Sequence, residues 1–135
     1  MKKLLLTFLF FTIYVLHAKD FCVIVHPSTS IKTLSTEKIR KIFLRKHHFI
    51  DNMKAIPVNL LSNHKLRLLF EKQIIKVKRE QLNQYWVQQH FLGVSPPVTQ
   101  ASDQSIKLFI QNLPGAIGYI PKSLVDAKVK VVHEF

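Results

Sequence analysis

Apolar residues follow two different periods along the chain. Short apolar runs that predict strands comprise Phe21–His26, Ala55–Leu60, Ala116–Ile120 and Lys128–His133. Between these runs, apolar residues recur at helical spacing over 36–46, 65–74, 79–91 and 103–113. Strands that alternate with helices predict an α/β fold with a largely parallel or mixed sheet.

Residues that cap or stop helices stand at the ends of these segments. Ser35 is predicted to be the N-cap of the first helix, and Ser62 or Asn63 that of the second. Gly93 suits the C-terminal cap of the third helix, and Pro114-Gly115 is predicted to stop the fourth. The segments 47–54 and 94–101 carry no clear period and are predicted to be a polar connection and an extended segment or loop.

The first 18 residues have the pattern of a secretory signal peptide. Two lysines precede the apolar run Leu4–Leu16, and the small residue Ala18 closes it. The run is shorter than the roughly 20 residues that a membrane-spanning helix needs. We expect cleavage after Ala18, which leaves 19–135 as one exported, periplasmic α/β domain.

The chain is strongly basic, with a formal charge of +12. The predicted signal peptide carries two lysines and no acid, so residues 19–135 retain a charge of +10. Two basic clusters lie at 38–46 and 72–79. This charge suits a small anion, an anionic membrane surface or an acidic partner, and export argues against nucleic acid.

The residue sets that catalysis and cofactor binding require are missing from the sequence. The only three glycines, Gly93, Gly115 and Gly118, form neither a dinucleotide fingerprint nor a phosphate loop. The single cysteine, Cys22, excludes an internal disulfide, and no histidines have metal-ligand spacing. His90 lies on the apolar stripe of its helix and is predicted to be a core or boundary residue. We therefore expect no enzymatic activity, no metal and no cofactor.

Two polar segments directly follow predicted strands. Ligands of parallel α/β sheets bind beyond the carboxyl ends of strands, where helix N-termini offer N–H groups and partial positive charge. We predict that both segments contribute to an oxyanion site, whose candidate residues are Ser28, Thr29, Ser30, Asn63, His64, Lys65 and Arg67. An ordinary polar turn at 28–30 and an ordinary helix cap at 62–65 are the alternative interpretation.

The order of the motifs resembles that of small exported relatives of the phosphate-binding proteins of ABC-type uptake systems. The matching motifs include His26-Pro27-Ser28, Ile42-Phe43-Leu44, Pro57-Val58, Tyr85-Trp86 and Pro114-Gly115-Ala116-Ile117-Gly118-Tyr119. The resemblance covers almost all of residues 19–135.

This resemblance implies the type II periplasmic-binding-protein fold, in which two α/β lobes clamp phosphate with hydroxyls, backbone N–H groups and an arginine. It also implies a solute-binding protein that works with an ABC-type permease. Full members of the family are more than twice as long. The chain is therefore predicted to form a single lobe, with a mixed sheet flanked by helices.

The segment that follows the Pro-Val strand departs from the family pattern. The large relatives carry a loop of the type Arg-Ser-x-Gly-Ser-Gly-Thr there, whereas 59–65 contains no glycine. Asn63, His64 and Lys65 are therefore candidate ligand-binding residues only because they lie at the start of a helix. Two functions stay open: binding of phosphate or a similar oxyanion, and a non-catalytic envelope interaction module that keeps the lobe but has lost the ligand.

Overall fold

The computed structural model of the protein describes residues 18–135. Residues 1–17, which hold nearly all of the predicted signal peptide, lie outside the described residues, and cleavage after Ala18 stays a prediction. Among the described helices, none has the length and apolar character needed to cross a membrane.

Seven strands and four α-helices make up the described chain. The strands are β1 (Phe21–Val25), β2 (Phe49–Ile50), β3 (Met53–Lys54), β4 (Ile56–Leu60), β5 (Val98–Gln100), β6 (Ala116–Pro121) and β7 (Lys130–Glu134). The helices are α1 (Thr36–Phe43), α2 (Lys65–Phe70), α3 (Arg79–Phe91) and α4 (Asp103–Asn112). A π-helical turn, Glu71–Ile75, continues α2, and a 3-10 turn, Lys122–Leu124, follows β6.

Five strands form one mixed sheet in the order β5-β4-β6-β1-β7, which confirms the predicted sheet type. β4 is parallel to β5 and β6, whereas β1 is antiparallel to both β6 and β7. The strand β1 therefore runs against the other four. Its carboxyl end lies at the edge of the sheet opposite to the carboxyl ends of β4, β5 and β6.

Helices cover both faces of the sheet, as neighbouring residues of β6 demonstrate. A Cβ at Gly118 would lie 2.8 Å from Cγ2 of Ile106, so α4 packs directly on this face. The next residue, Tyr119, points to the opposite face because side chains alternate along a strand. There its ring stacks on Phe70 of α2 with centroids 3.9 Å apart and also contacts Phe43 of α1.

The segment 47–54 and one face of α3 differ from the sequence predictions, whereas the segment 94–101 is partly extended, as predicted. The segment 47–54 contains the hairpin β2–β3, whose strands are two residues long and too short to display a period. The segment 94–101 contains the edge strand β5, a position where the preceding prolines do not interrupt a ladder. His90 is exposed, so the expected core or boundary role is wrong. Leu82 is the one buried residue on the stripe of α3 to which His90 belongs.

The free thiol of Cys22 belongs to the apolar core, and its side chain is fully buried. Burial raises its pKa to about 11, and the carboxylate of Glu134 adds to the increase. Since the thiolate is the reactive species, we expect iodoacetamide to leave Cys22 unmodified in the native protein and to alkylate it in urea. Mass spectrometry after timed exposure measures this, and rapid alkylation without urea would contradict the buried position.

Candidate functional site

The structure separates the two predicted binding segments. The segment 28–30 follows β1 and the segment 63–67 follows β4, and these strands run in opposite directions. Their carboxyl ends therefore lie at opposite edges of the sheet. The expectation that both segments contribute to one site is wrong, because it assumed parallel strands.

Most polar groups after β1 make hydrogen bonds within the protein, whereas the buried hydroxyl of Thr29 has no partner among the described residues. The hydroxyl of Ser28 lies 2.7 Å from Nδ1 of His26. The N–H and hydroxyl of Ser30 donate to the carboxylate of Asp51 at 2.7 and 2.9 Å. Thr29 is buried, and its carbonyl accepts from Nζ of Lys130 at 2.7 Å. These contacts tie the loop to the β2–β3 turn and to β7, as the ordinary-turn alternative requires.

The segment after β4 forms a tight turn that leads into α2. The N–H of His64 donates to the carbonyl of Leu61 at 3.0 Å, and Nδ1 of His64 accepts from the N–H of Leu66 at 3.1 Å. His64 is therefore the N-cap, and the prediction of Ser62 or Asn63 is wrong by one or two positions. Asn63 and Lys65 are exposed beside this cap.

Arg67, another of the predicted residues, belongs to a network of charged side chains. Its Nη1 donates to the carbonyl of Leu60 at 2.8 Å, and its Nε donates to Oε1 of Glu71 at 3.0 Å. Arg79 also reaches this carboxylate, through Nε to Oε2 and Nη2 to Oε1, both at 3.1 Å. Glu71 is buried, so one carboxylate is shared by two arginines in what we call the Glu71 network. The network has a net charge of +1.

A cavity of about 210 Å³ opens next to this network, between the face of β4 and β5 and the helices that cover it. Its polar lining consists of Asn59, Arg67, Glu71 and Thr99. Its apolar lining consists of Phe43, Leu44, Ile75, Leu82, Trp86, Pro96 and Pro97. Sites for drug-sized ligands measure roughly 300–1,000 Å³. This cavity therefore suits a small ligand with a few polar contacts.

A buried hydrogen-bond chain orients Asn59 at the cavity. The hydroxyl of Tyr119 donates to Oδ1 of Asn59 and accepts from the N–H of Leu60 at 3.3 Å. Burial raises the pKa of Tyr119, which keeps its proton available for this bond. Because the amide oxygen is engaged, the amide nitrogen of Asn59 is the group left to donate to a ligand.

Within residues 18–135, no group of three or more His, Cys, Asp or Glu side chains comes together in a way that could hold a metal ion. The chemistry that the cavity offers is hydrogen bonding and positive charge.

No family model and no curated protein matches the sequence. Solved structures do match its fold, and each match covers 84% of this chain. One is a protein from Clostridium perfringens, assigned as a phosphate ABC transporter substrate-binding protein and crystallised with phosphate, at a TM-score of 0.69 and 23% identity. Others are an ABC-type phosphate transport receptor from Vibrio cholerae, at 0.68 and 18%, and PstS from Borrelia burgdorferi, at 0.64 and 14%.

The chain spans only 44%, 45% and 46% of the lengths of these three proteins. The shared part has a five-stranded mixed sheet flanked by helices, as the resemblance in the motifs predicted. The chain therefore has a phosphate-binding-protein-like fold and forms a single lobe of it.

Proposed function

We propose that the protein is a non-enzymatic solute-binding protein that holds phosphate, or a similar small oxyanion, in the cavity over β4 and β5. The position of Arg67 carries this proposal. Its guanidinium lines the cavity and is oriented by the carbonyl of Leu60 and the carboxylate of Glu71. Planar guanidinium groups bind oxyanions through paired hydrogen bonds, and an oriented one loses less entropy on binding.

The charge and size of the cavity favour the same class of ligand. The Glu71 network contributes a single net positive charge at a site that is mostly apolar, where a partly desolvated charge attracts an anion more strongly than in water. Asn59 and Thr99 add neutral donors from two neighbouring strands. A volume of about 210 Å³ accommodates a tetrahedral oxyanion rather than a large metabolite.

We further propose that the protein acts outside the cytoplasm, with an ABC-type permease or another envelope protein as its partner. The signal-peptide pattern of residues 1–18 supports export. The solved structures with this fold include proteins of phosphate ABC transport. Of the predicted residues, Arg67 lines the cavity. Asn63, His64 and Lys65 lie at the turn that leads into the same helix, and Ser28, Thr29 and Ser30 lie at the opposite edge of the sheet.

A calorimetric titration with phosphate tests the proposal, with sulfate and chloride at matched ionic strength as controls. We expect saturable binding of phosphate and a thermal stabilisation equivalent to about 2.7 kcal/mol at a hundredfold excess over Kd. An equal, unsaturable response to all three anions would reflect charge screening alone. That outcome would favour the interaction module that has lost its ligand.

The variant Thr99→Asp locates the site. It puts a carboxylate at an exposed position of the cavity wall, where repulsion is expected to weaken phosphate binding at least about tenfold. Thr33→Asp is the matched control, since it makes the same substitution at an exposed threonine that does not line the cavity. Equal affinities of the two variants would place the anion elsewhere.

A further inference from the structure

We propose that the protein has a second anion site, which takes a ligand with two or more phosphoryl groups. It is a cavity of about 480 Å³ between the π-helical turn and the start of α3. Four cations line it, Lys72, Lys76, Lys78 and Arg79, together with the apolar side chains of Leu68 and Val77. Glu71 contributes to the walls of both this cavity and the smaller one. We call this larger cavity the lysine cavity.

The backbone explains why the cations converge. The π-helical turn ends at Lys76, whose N–H donates to the carbonyl of Glu71 at 2.7 Å. Lys76 has a left-handed backbone with φ 56°, so the chain reverses there and α3 begins three residues later. The reversal brings Lys78 and Arg79 back towards Lys72, so residues from both sides of the turn share one cavity.

Acidic groups leave the three lysines of the lysine cavity unpaired, whereas Arg79 is paired with Glu71. Within residues 18–135, the side chains of Lys72, Lys76 and Lys78 form no ion pair. The carboxylate of Glu71 is already shared between two arginines. Glu80 is the next acid along the chain, but it is exposed and does not line the cavity. The lysine cavity therefore keeps an excess of positive charge, which a bound anion would relieve.

The charge and the volume both favour a multivalent ligand. A single phosphoryl group carries a charge of about −1.5 to −2, which is less than three unpaired lysines can compensate. The volume lies within the roughly 300–1,000 Å³ of small-molecule sites and is more than twice that of the cavity over β4 and β5. In addition, the N-cap residue Lys78 supplies no side-chain acceptor to the first turn of α3. The N–H groups of that turn add partial positive charge at the same place.

The test is a calorimetric titration with tripolyphosphate and pyrophosphate, performed on Lys72→Gln/Lys78→Gln and on the unchanged protein. We expect this double variant to bind tripolyphosphate at least about tenfold more weakly, since it removes two of the four cations. The control Lys32→Gln/Lys54→Gln removes the same charge at exposed positions outside the cavity and is expected to change the affinity by less than about twofold. Equal losses in both double variants would overturn the proposal, because they would reflect net charge alone.

Such a ligand has two possible sources, a free polyphosphate and a lipid headgroup. A binding experiment with lipid vesicles distinguishes them. Leu68 is 47% exposed beside the cations and offers an apolar contact for a lipid chain. A lipid headgroup would be identified if the protein sedimented with phosphatidylcholine vesicles that contain cardiolipin but not with vesicles of phosphatidylcholine alone. Lys72→Gln/Lys78→Gln would then have to abolish this sedimentation. Tripolyphosphate binding without such sedimentation would identify a free ligand, and the absence of both would overturn the proposal.

This site is independent of the proposed function, and Thr99→Asp distinguishes the two. Thr99 lines the cavity over β4 and β5 and not the lysine cavity. Thr99→Asp is therefore expected to leave tripolyphosphate binding unchanged while it weakens phosphate binding. Loss of both affinities in Thr99→Asp would mean that a single site binds both ligands, which would also overturn the proposal.

Discussion

Replacing Glu71 by leucine is expected to lower the free energy of unfolding by about 3–5 kcal/mol, the typical effect of removing one partner from a buried ion pair. Arg67 and Arg79 would lose the carboxylate that they share, and two like charges would remain close together. Arg67 has only 17% of its side chain exposed and cannot regain full hydration without movement. Urea denaturation followed by circular dichroism measures the change.

Two further variants test whether the loss of stability comes from breaking the Glu71 network or from removing an acidic side chain as such. Glu80→Leu removes an exposed acid nine residues further along the chain and is expected to change stability by less than about 0.5 kcal/mol. The triple variant Arg67→Met/Glu71→Leu/Arg79→Leu removes the whole network and is expected to be more stable than Glu71→Leu alone, because no unpaired buried charge is left. A triple variant less stable than Glu71→Leu would contradict this account.

The sequence predicted the elements whose signals are local. The serine at position 35 caps α1, with Oγ accepting from the N–H of Lys38 at 3.1 Å, three residues away. The bounds predicted for the third helix, 79 and 91, are those observed for α3, and Gly93 follows it with φ 76°. Capping and helical periodicity depend on residues within one or two turns, so a single sequence contains them.

The direction of β1 depends on partners far away in the sequence. Val25 of β1 pairs with Ile117 of β6 and Lys130 of β7, both about a hundred residues away. Because β1 is buried on both faces, it is a continuous apolar run whatever the direction of its neighbours, so the pattern could not fix the edge at which 28–30 lies. For this reason the sequence predicted both polar segments but placed them wrongly relative to each other.

Of the residues that line the cavity, the sequence predicted only Arg67 as a binding residue. Asn59 had a signal in the sequence, since it is a polar residue inside the apolar run that forms β4. Glu71 had another, because it lies four residues after Arg67 at the spacing of helical ion pairs. Arg79 had none, since it reaches Glu71 across the π-helical turn. Thr99 had none either, since it belongs to a strand that the sequence did not separate from a loop.

Gly115→Ala is the second substitution with a large expected effect, a loss of about 2–5 kcal/mol in the free energy of unfolding. Two costs add at this position. The backbone of Gly115 has φ 88°, which L-residues with a side chain adopt only with strain, and an added Cβ would lie 2.5 Å from the carbonyl oxygen of Lys54. That neighbour is backbone and cannot move without distorting β3.

Gly93→Ala is the matched control, because it separates the backbone strain from the contact. Gly93 has a similar φ of 76°, but an added Cβ would meet nothing within 4 Å, so about 1–2 kcal/mol is expected from strain alone. The carbonyl of Gly115 also accepts from the N–H of Ile56 at 2.9 Å, which sets the register of β4 against β6. Gly115→Ala is therefore expected to weaken phosphate binding in the cavity over β4 and β5, whereas Gly93→Ala is not. If both variants lost the same stability by urea denaturation, the close contact with Lys54 would contribute nothing, and the turn before β6 would have to be wider than the structure has it.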